Sequence, residues 1–106
     1  MTDKLVVFVT FENEEQAQKA AETVVNEHLA ACVNLVAAAR SCYVWEGKLT
    51  WSTEVLAMIK TTQARFGQLA KRIQELHSYQ VPEIVSVVIE DASEKYLQWI
   101  DRSVGV

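Results

Sequence analysis

The residues best suited to chemistry gather in "HSYQVPE", where His77, Tyr79 and Glu83 put an imidazole, a phenol and a carboxylate within seven positions. Imidazole and carboxylate are ligands for copper or zinc, and stable sites for those metals hold roughly three or four N, S or O donors. This segment supplies two, so His77 and Glu83 are candidate metal ligands that need partners from elsewhere. Without them, His77 reads as a helix-end or tyrosine-packing residue. Tyr79 reads as a core anchor with its hydroxyl tied down.

A second set of candidates lies upstream. Glu54 opens and Lys60 closes the apolar run "EVLAMIK". A lysine at a strand end snorkels to water, or meets an anionic ligand if it faces a cleft between subunits. Cys32, inside "AACVN", behaves as a small buried hydrophobe unless a positive neighbour holds its thiolate. With Tyr43, Trp45 and Tyr79, these three residues make up the candidate lining of a ligand cleft. No catalytic group is identified: Ser41, Ser52, Ser78 and Ser86 lack an elbow motif, and no nucleophile stands beside a base. The chain also lacks CxxC, HExxH, P-loop and GxGxxG patterns, which leaves zinc-ribbon, metalloprotease and nucleotide-loop readings without support. The reading is of a protein that is not an enzyme and has no obligatory cofactor, with copper or another divalent cation as a candidate ligand.

The elements that must position these groups follow from periodicity. "KLVVFVT" is a short apolar, β-branched run, the pattern of a central strand. Asn13 can cap the next helix with Gln16 as capping-box partner, and Ala17, Ala20, Ala21, Val24 and Val25 give it a narrow apolar face. His28, near its end, suits the helix dipole. "AACVNLVAAARSCYVWEGKLTWSTEVLAMIKTT" predicts two long strands joined by a turn at Glu46-Gly47. Trp45 then faces Lys48, Val44 faces Leu49, Tyr43 faces Thr50 and Cys42 faces Trp51.

Each arm would run about 15 residues, or about 50 Å, against about five or six residues for an average strand. Such a hairpin outgrows its domain. Its Tyr43, Trp45 and Trp51 would expose aromatic surface and unpaired edges, which a second subunit would cover. A cation-π pair of Trp45 with Lys48 on a solvated tip is the simpler alternative. Thr62 can cap a second helix carrying Phe66, Leu69, Ala70, Ile73 and Leu76. Pro82 ends helical structure, "EIVSVVIE" reads as a covered strand, and Asp91 or Ser93 caps a final helix. The fold class is therefore α+β: a ferredoxin-like βαββαβ unit with an additional C-terminal helix, an antiparallel sheet and a long hairpin between the second and third strands.

At 106 residues, half of them hydrophobic, the chain fits a single domain, 1-106. Its net charge of -4 and lack of a Lys/Arg cluster argue against nucleic acid as a partner. The N-terminal apolar run is too short for a membrane span or signal segment, so the expected location is the cytoplasm with no membrane partner. Cys32 and Cys42, roughly 33 Å apart along one extended strand, cannot pair within the chain.

Five segments together resemble the CutA family of divalent-cation tolerance proteins: "ACVNL", "YVWEGK", "IKT", "HSYQVPEI" and "YLQW". The resemblance spans almost the whole chain. It implies a tight cytoplasmic homotrimer, similar in architecture to the PII signalling trimers, with hairpins locking neighbouring subunits. It also implies a link to tolerance of copper and other divalent cations, with relatives tied to anchoring or processing of a cholinesterase. A PII-like sensor of a small anionic metabolite and a structural scaffold or anchoring protein are the alternative readings. Three positions depart from the family pattern. Ser78 stands where the family has proline, which frees the backbone dihedral there. Val9 stands at a cysteine position of copper-binding relatives, and Leu76 precedes a lone His77 where they have paired histidines.

Overall fold

In the computed structural model, which describes residues 1–105, the run "KLVVFVTF" forms β1 (Lys4–Phe11) in the interior of a four-stranded sheet. The remaining elements are α1 (Glu14–Asn26), β2 (Cys32–Trp45), β3 (Lys48–Thr62), α2 (Gln63–Leu76), β4 (Ile84–Val88) and α3 (Glu94–Ser103). The strand order is β2-β3-β1-β4, and every pairing is antiparallel. Together they form the expected ferredoxin-like α+β arrangement with its added helix.

Alternation along the strands divides the sheet into two faces. Leu5, Val7, Val9 and Phe11 of β1 and Val55, Ala57 and Ile59 of β3 point at α1 and α2, and all are buried. The helices answer with Ala17, Ala20 and Val24 from α1 and Leu69 and Ile73 from α2. Two alanines in the contact row let α1 approach the sheet closely, while Val25 turns outward, so the helix face is narrower than its spacing predicts. The other face carries Val6, Phe8, Met58, Val85 and Val87 in adjacent rows. α3 closes only one end of it, where Lys4 Nζ reaches Asp101 at 2.9 Å and Cys32 Sγ lies 3.5 Å from the Tyr96 hydroxyl. Lys4 is held above its ordinary pKa by Asp3 and then Asp101, against the opposing effect of burial.

Helix ends agree with the sequence reading in position and differ in detail. Asn13 Oδ1 accepts from the Gln16 amide at 2.9 Å, but the Gln16 side chain leaves the capping box, donating to Glu12 and accepting from Ser78 at 2.8 Å. Thr62 occupies the cap position of α2 without capping it, and its hydroxyl is buried without a partner. The first amide of that helix donates to the Asp3 carbonyl instead, at 2.8 Å. Ser93 precedes α3, also without a side-chain cap, while Asp91 binds the neighbouring Ala92 amide. His28 lies just beyond α1 with φ 59 and sets its ring 3.3 Å from the Ser103 carbonyl, bridging to α3. β4 is shorter and more exposed than a covered strand, because it pairs on one edge only and α3 stops short of it.

Candidate functional site

The hairpin has the predicted turn and register. Glu46 and Gly47 adopt φ 50 and 78, as a type I′ turn demands, and the pairs run from Trp45 with Lys48 to Cys42 with Trp51. Further down, the register shifts: Ala39 pairs with Glu54, yet Val36 pairs with Leu56, so β2 takes three steps where β3 takes two. The extra residue is a β-bulge, with Ala38 at φ 62. Since side chains alternate, one inserted residue reverses the facing of everything beyond it. The reversal applies to β2 from Val36 towards Cys32; on the turn side of the bulge the unbroken register puts Ser41, Tyr43 and Trp45 on one face with Glu54 and Ser52. Cys42, Val44, Leu49 and Trp51 form the opposite face, where Arg40 stacks over Trp51 at 4.7 Å.

Glu54 is the centre of the first face. The residue is 8% exposed, and its two carboxylate oxygens accept from the Ser41 hydroxyl at 2.5 Å and the Tyr79 hydroxyl at 2.8 Å. Tyr43 donates to Ser52 at 3.3 Å beside them. The corner after α2 brings Tyr79 into place. His77 stacks on Phe11 at 4.6 Å, its Nε2 lies 2.7 Å from the Thr10 carbonyl, and its Nδ1 accepts the Tyr79 amide at 3.0 Å. Those contacts require the tautomer with the proton on Nε2. Burial, and then the hydrogen bond to Glu54, drive the Tyr79 phenol well above its ordinary pKa, so it stays a donor.

Together these groups border a cleft of about 740 Å³ at the root of the hairpin. Five of the residues singled out from sequence line it: Tyr43, Trp45, Glu54, Tyr79 and Glu83. His77 stands behind it as the support of Tyr79. Cys32 and Lys60 lie elsewhere, paired with each other across β2 and β3, with Cys32 against Tyr96 and Lys60 donating to Asn34 and to the Met58 carbonyl at 3.3 Å. Burial and the Cys32 contact push the Tyr96 phenol up to about 12. Thr10, Ser41, Cys42, Ser78, Gln80 and Val81 also line the cleft, and none of them was a cleft candidate from sequence. The signal for Ser41 was the turn register itself, which continued one pair past Cys42 and Trp51 sets Ser41 opposite Ser52. Among the described residues, no three of His, Cys, Asp and Glu converge as a metal site.

Sheet order, crossover helices and a long hairpin with a cleft at its root define a ferredoxin-like α+β protein. The profile of the CutA1 divalent ion tolerance protein family matches residues 5–103, and the chain belongs to that family. It is 41% identical over 100 residues to the divalent-cation tolerance protein CutA of Thermus thermophilus, covering 94% of this chain and 97% of that one. A solved structure of that organism's protein superimposes with a TM-score of 0.93, covering 96% of this chain and 99% of the other. The chloroplastic CutA of Arabidopsis thaliana is 42% identical over 99 residues, 93% of this chain, which spans only 54% of that relative's length. A structure described as the periplasmic divalent cation tolerance protein CutA of Archaeoglobus fulgidus is 32% identical, with a TM-score of 0.92, over 95% of this chain and 98% of its own. Among the described residues, no helix is long and apolar enough to cross a membrane.

Proposed function

We propose that this protein serves divalent-cation tolerance as a non-enzymatic homotrimer, with weak ligand-binding clefts where the hairpin of one copy meets the next. The observation that carries this reading is the outer face of the hairpin. Leu49 is 74% exposed and Trp51 57%, beside an exposed Val44, on a chain that extends 45 Å in its long direction and 25 Å in the next. Apolar area of that kind is covered by association, and the open sheet face at Phe8 and Val85, on the other side of the sheet, adds a second uncovered surface. Cytoplasmic residence completes the proposal, supported by two free cysteines, one of them exposed.

The donor set does not fit a resident copper ion within one chain. The cleft offers the carboxylates of Glu54 and Glu83, both nitrogens of His77 are engaged, and among the described residues no three of His, Cys, Asp and Glu converge. Nor does Lys60 line the cleft as the PII-like reading requires. Native mass spectrometry with graded copper, beside a His77→Ala variant, tests the proposal. A trimer mass with equal copper uptake by both proteins is expected. A monomer overturns the assembly, and stoichiometric copper lost with His77 makes that residue a ligand after all.

A further inference from the structure

The cleft carries a chemical bias that the cation-tolerance reading leaves unused. Glu54 is a charged residue more than nine-tenths buried, and its hydrogen-bond partners, Ser41 and Tyr79, are neutral. Buried carboxylates ordinarily sit beside a cation, because withdrawing a charge from water is expensive unless it is paired. Among the described residues no Lys, Arg or His forms an ion pair with it, and none lines the cleft. Glu83 adds a second carboxylate to the wall. The remaining walls include Tyr43, Trp45 and Tyr79, whose ring faces are electronegative.

Two acidic groups and no base repel an anion. A metal ion lacks a third protein ligand here, as noted above. What matches carboxylates set among aromatic faces is an organic cation that donates charge-assisted hydrogen bonds to the carboxylates and lies against a ring at once. The volume, about 740 Å³, suits an organic molecule rather than a bare ion.

We propose that the Glu54 cleft binds an organic cation, a guanidinium or alkylammonium group, with Glu54 as its buried counter-charge, Glu83 as a second carboxylate and Trp45 as the ring it lies against. The group belongs either to a free small molecule or to an Arg or Lys side chain of a second copy. The proposal rests on the cleft proposed above as the ligand site, and it uses the same site in a monomer or a trimer.

Calorimetric titration of the intact protein with n-butylguanidinium, against its neutral isostere n-butylurea, tests it, with native mass spectra of the same samples reporting the assembly. Glu54→Gln is the central variant. Glu83→Gln and Trp45→Leu, at exposed positions, serve if Glu54→Gln does not fold, and circular dichroism reports that. Saturable binding of butylguanidinium, at least about tenfold tighter than butylurea and weakened about tenfold or more by Glu54→Gln, supports a free ligand. Weakening of about threefold or more by Glu83→Gln or Trp45→Leu gives the same answer. No binding by the wild type, together with dissociation of the assembly by folded Glu54→Gln or the substitute variants, assigns the cation to a second copy. Binding unaffected by every variant, or no binding and an unaffected assembly, overturns the proposal. A wild-type monomer that binds butylguanidinium in this way sinks the homotrimer and leaves the cation site standing.

Discussion

The two ends of β3 are one continuous strand and live in different environments. From Val55 to Thr62 its inward residues meet α1 and α2, and Ile59 is 2% exposed. From Lys48 to Thr53 it has only β2 beside it, and Leu49 stands in solvent. The stem half is the richer in apolar residues, five of eight from Val55 to Thr62 against two of six from Lys48 to Thr53, and it alone packs under α1 and α2. The stem is held by long-range packing and the tip by local pairing and a tight turn, which places stability in one half and leaves the surface of the other open to solvent.

The largest test of this contrast is in the stem. Ile59→Ala should lower unfolding free energy by about 2–5 kcal/mol in urea titrations, and a loss under about 1 kcal/mol would mean that the stem is not the anchor. Next comes the junction between the halves. Tyr79→Phe removes a donor from the buried Glu54 carboxylate and should cost about 1.5–3 kcal/mol by the same measurement, while leaving the Ile59 contacts intact.

The same phenol makes stability pH-dependent. Its folded pKa lies above the ordinary 10.0, so the folded chain keeps a proton that the unfolded chain loses from about pH 10 upward. Stability is therefore fully present below pH 10 and falls as pH rises past it. Tyr96, raised from 10.0 to about 12, and Lys4, raised from 10.5, add in the same direction. Urea midpoints recorded between pH 8 and 12 should decline less steeply in Tyr79→Phe, and parallel curves would remove Tyr79 from the account.

Smaller effects lie outside both halves and at the tip. Gly67 sits within α2 with open space where a side chain would project, so Gly67→Ala should raise stability by about 0.5–1 kcal/mol; a thermal midpoint that falls instead would reveal a contact on that face. Leu49→Ala should change the unfolding free energy of dissociated chains by less than about 0.5 kcal/mol. A loss as large as that of Ile59→Ala would show that the tip packs as tightly as the stem.

How much of this was legible in advance depends on the range of the forces involved. The turn at Glu46-Gly47, the register up to Cys42 and the Asn13 cap depend on neighbours a few residues apart, and their signatures are written in the residues themselves. Thr62 misled because its helix start is held by Asp3, distant in sequence, instead of by its own hydroxyl. Lys60 and Cys32 misled because strand spacing does not say which neighbour a side chain meets.

The sequence by itself determined the order of elements, the overlong hairpin and the corner at Pro82, since helical and strand periods and turn chemistry are local properties of the chain. Only the tertiary structure decided that Cys32, Asn34 and Val36, and not their odd-numbered neighbours, share a face with Lys60, Met58 and Leu56. That depends on one extra residue near Ala38, and a bulge forms where two strands from different parts of the chain compete over register. The site also required Phe11 and Thr10 to hold His77 so that Tyr79 arrives beside Glu54, a meeting of residues 25 positions apart that packing brings about and spacing does not encode.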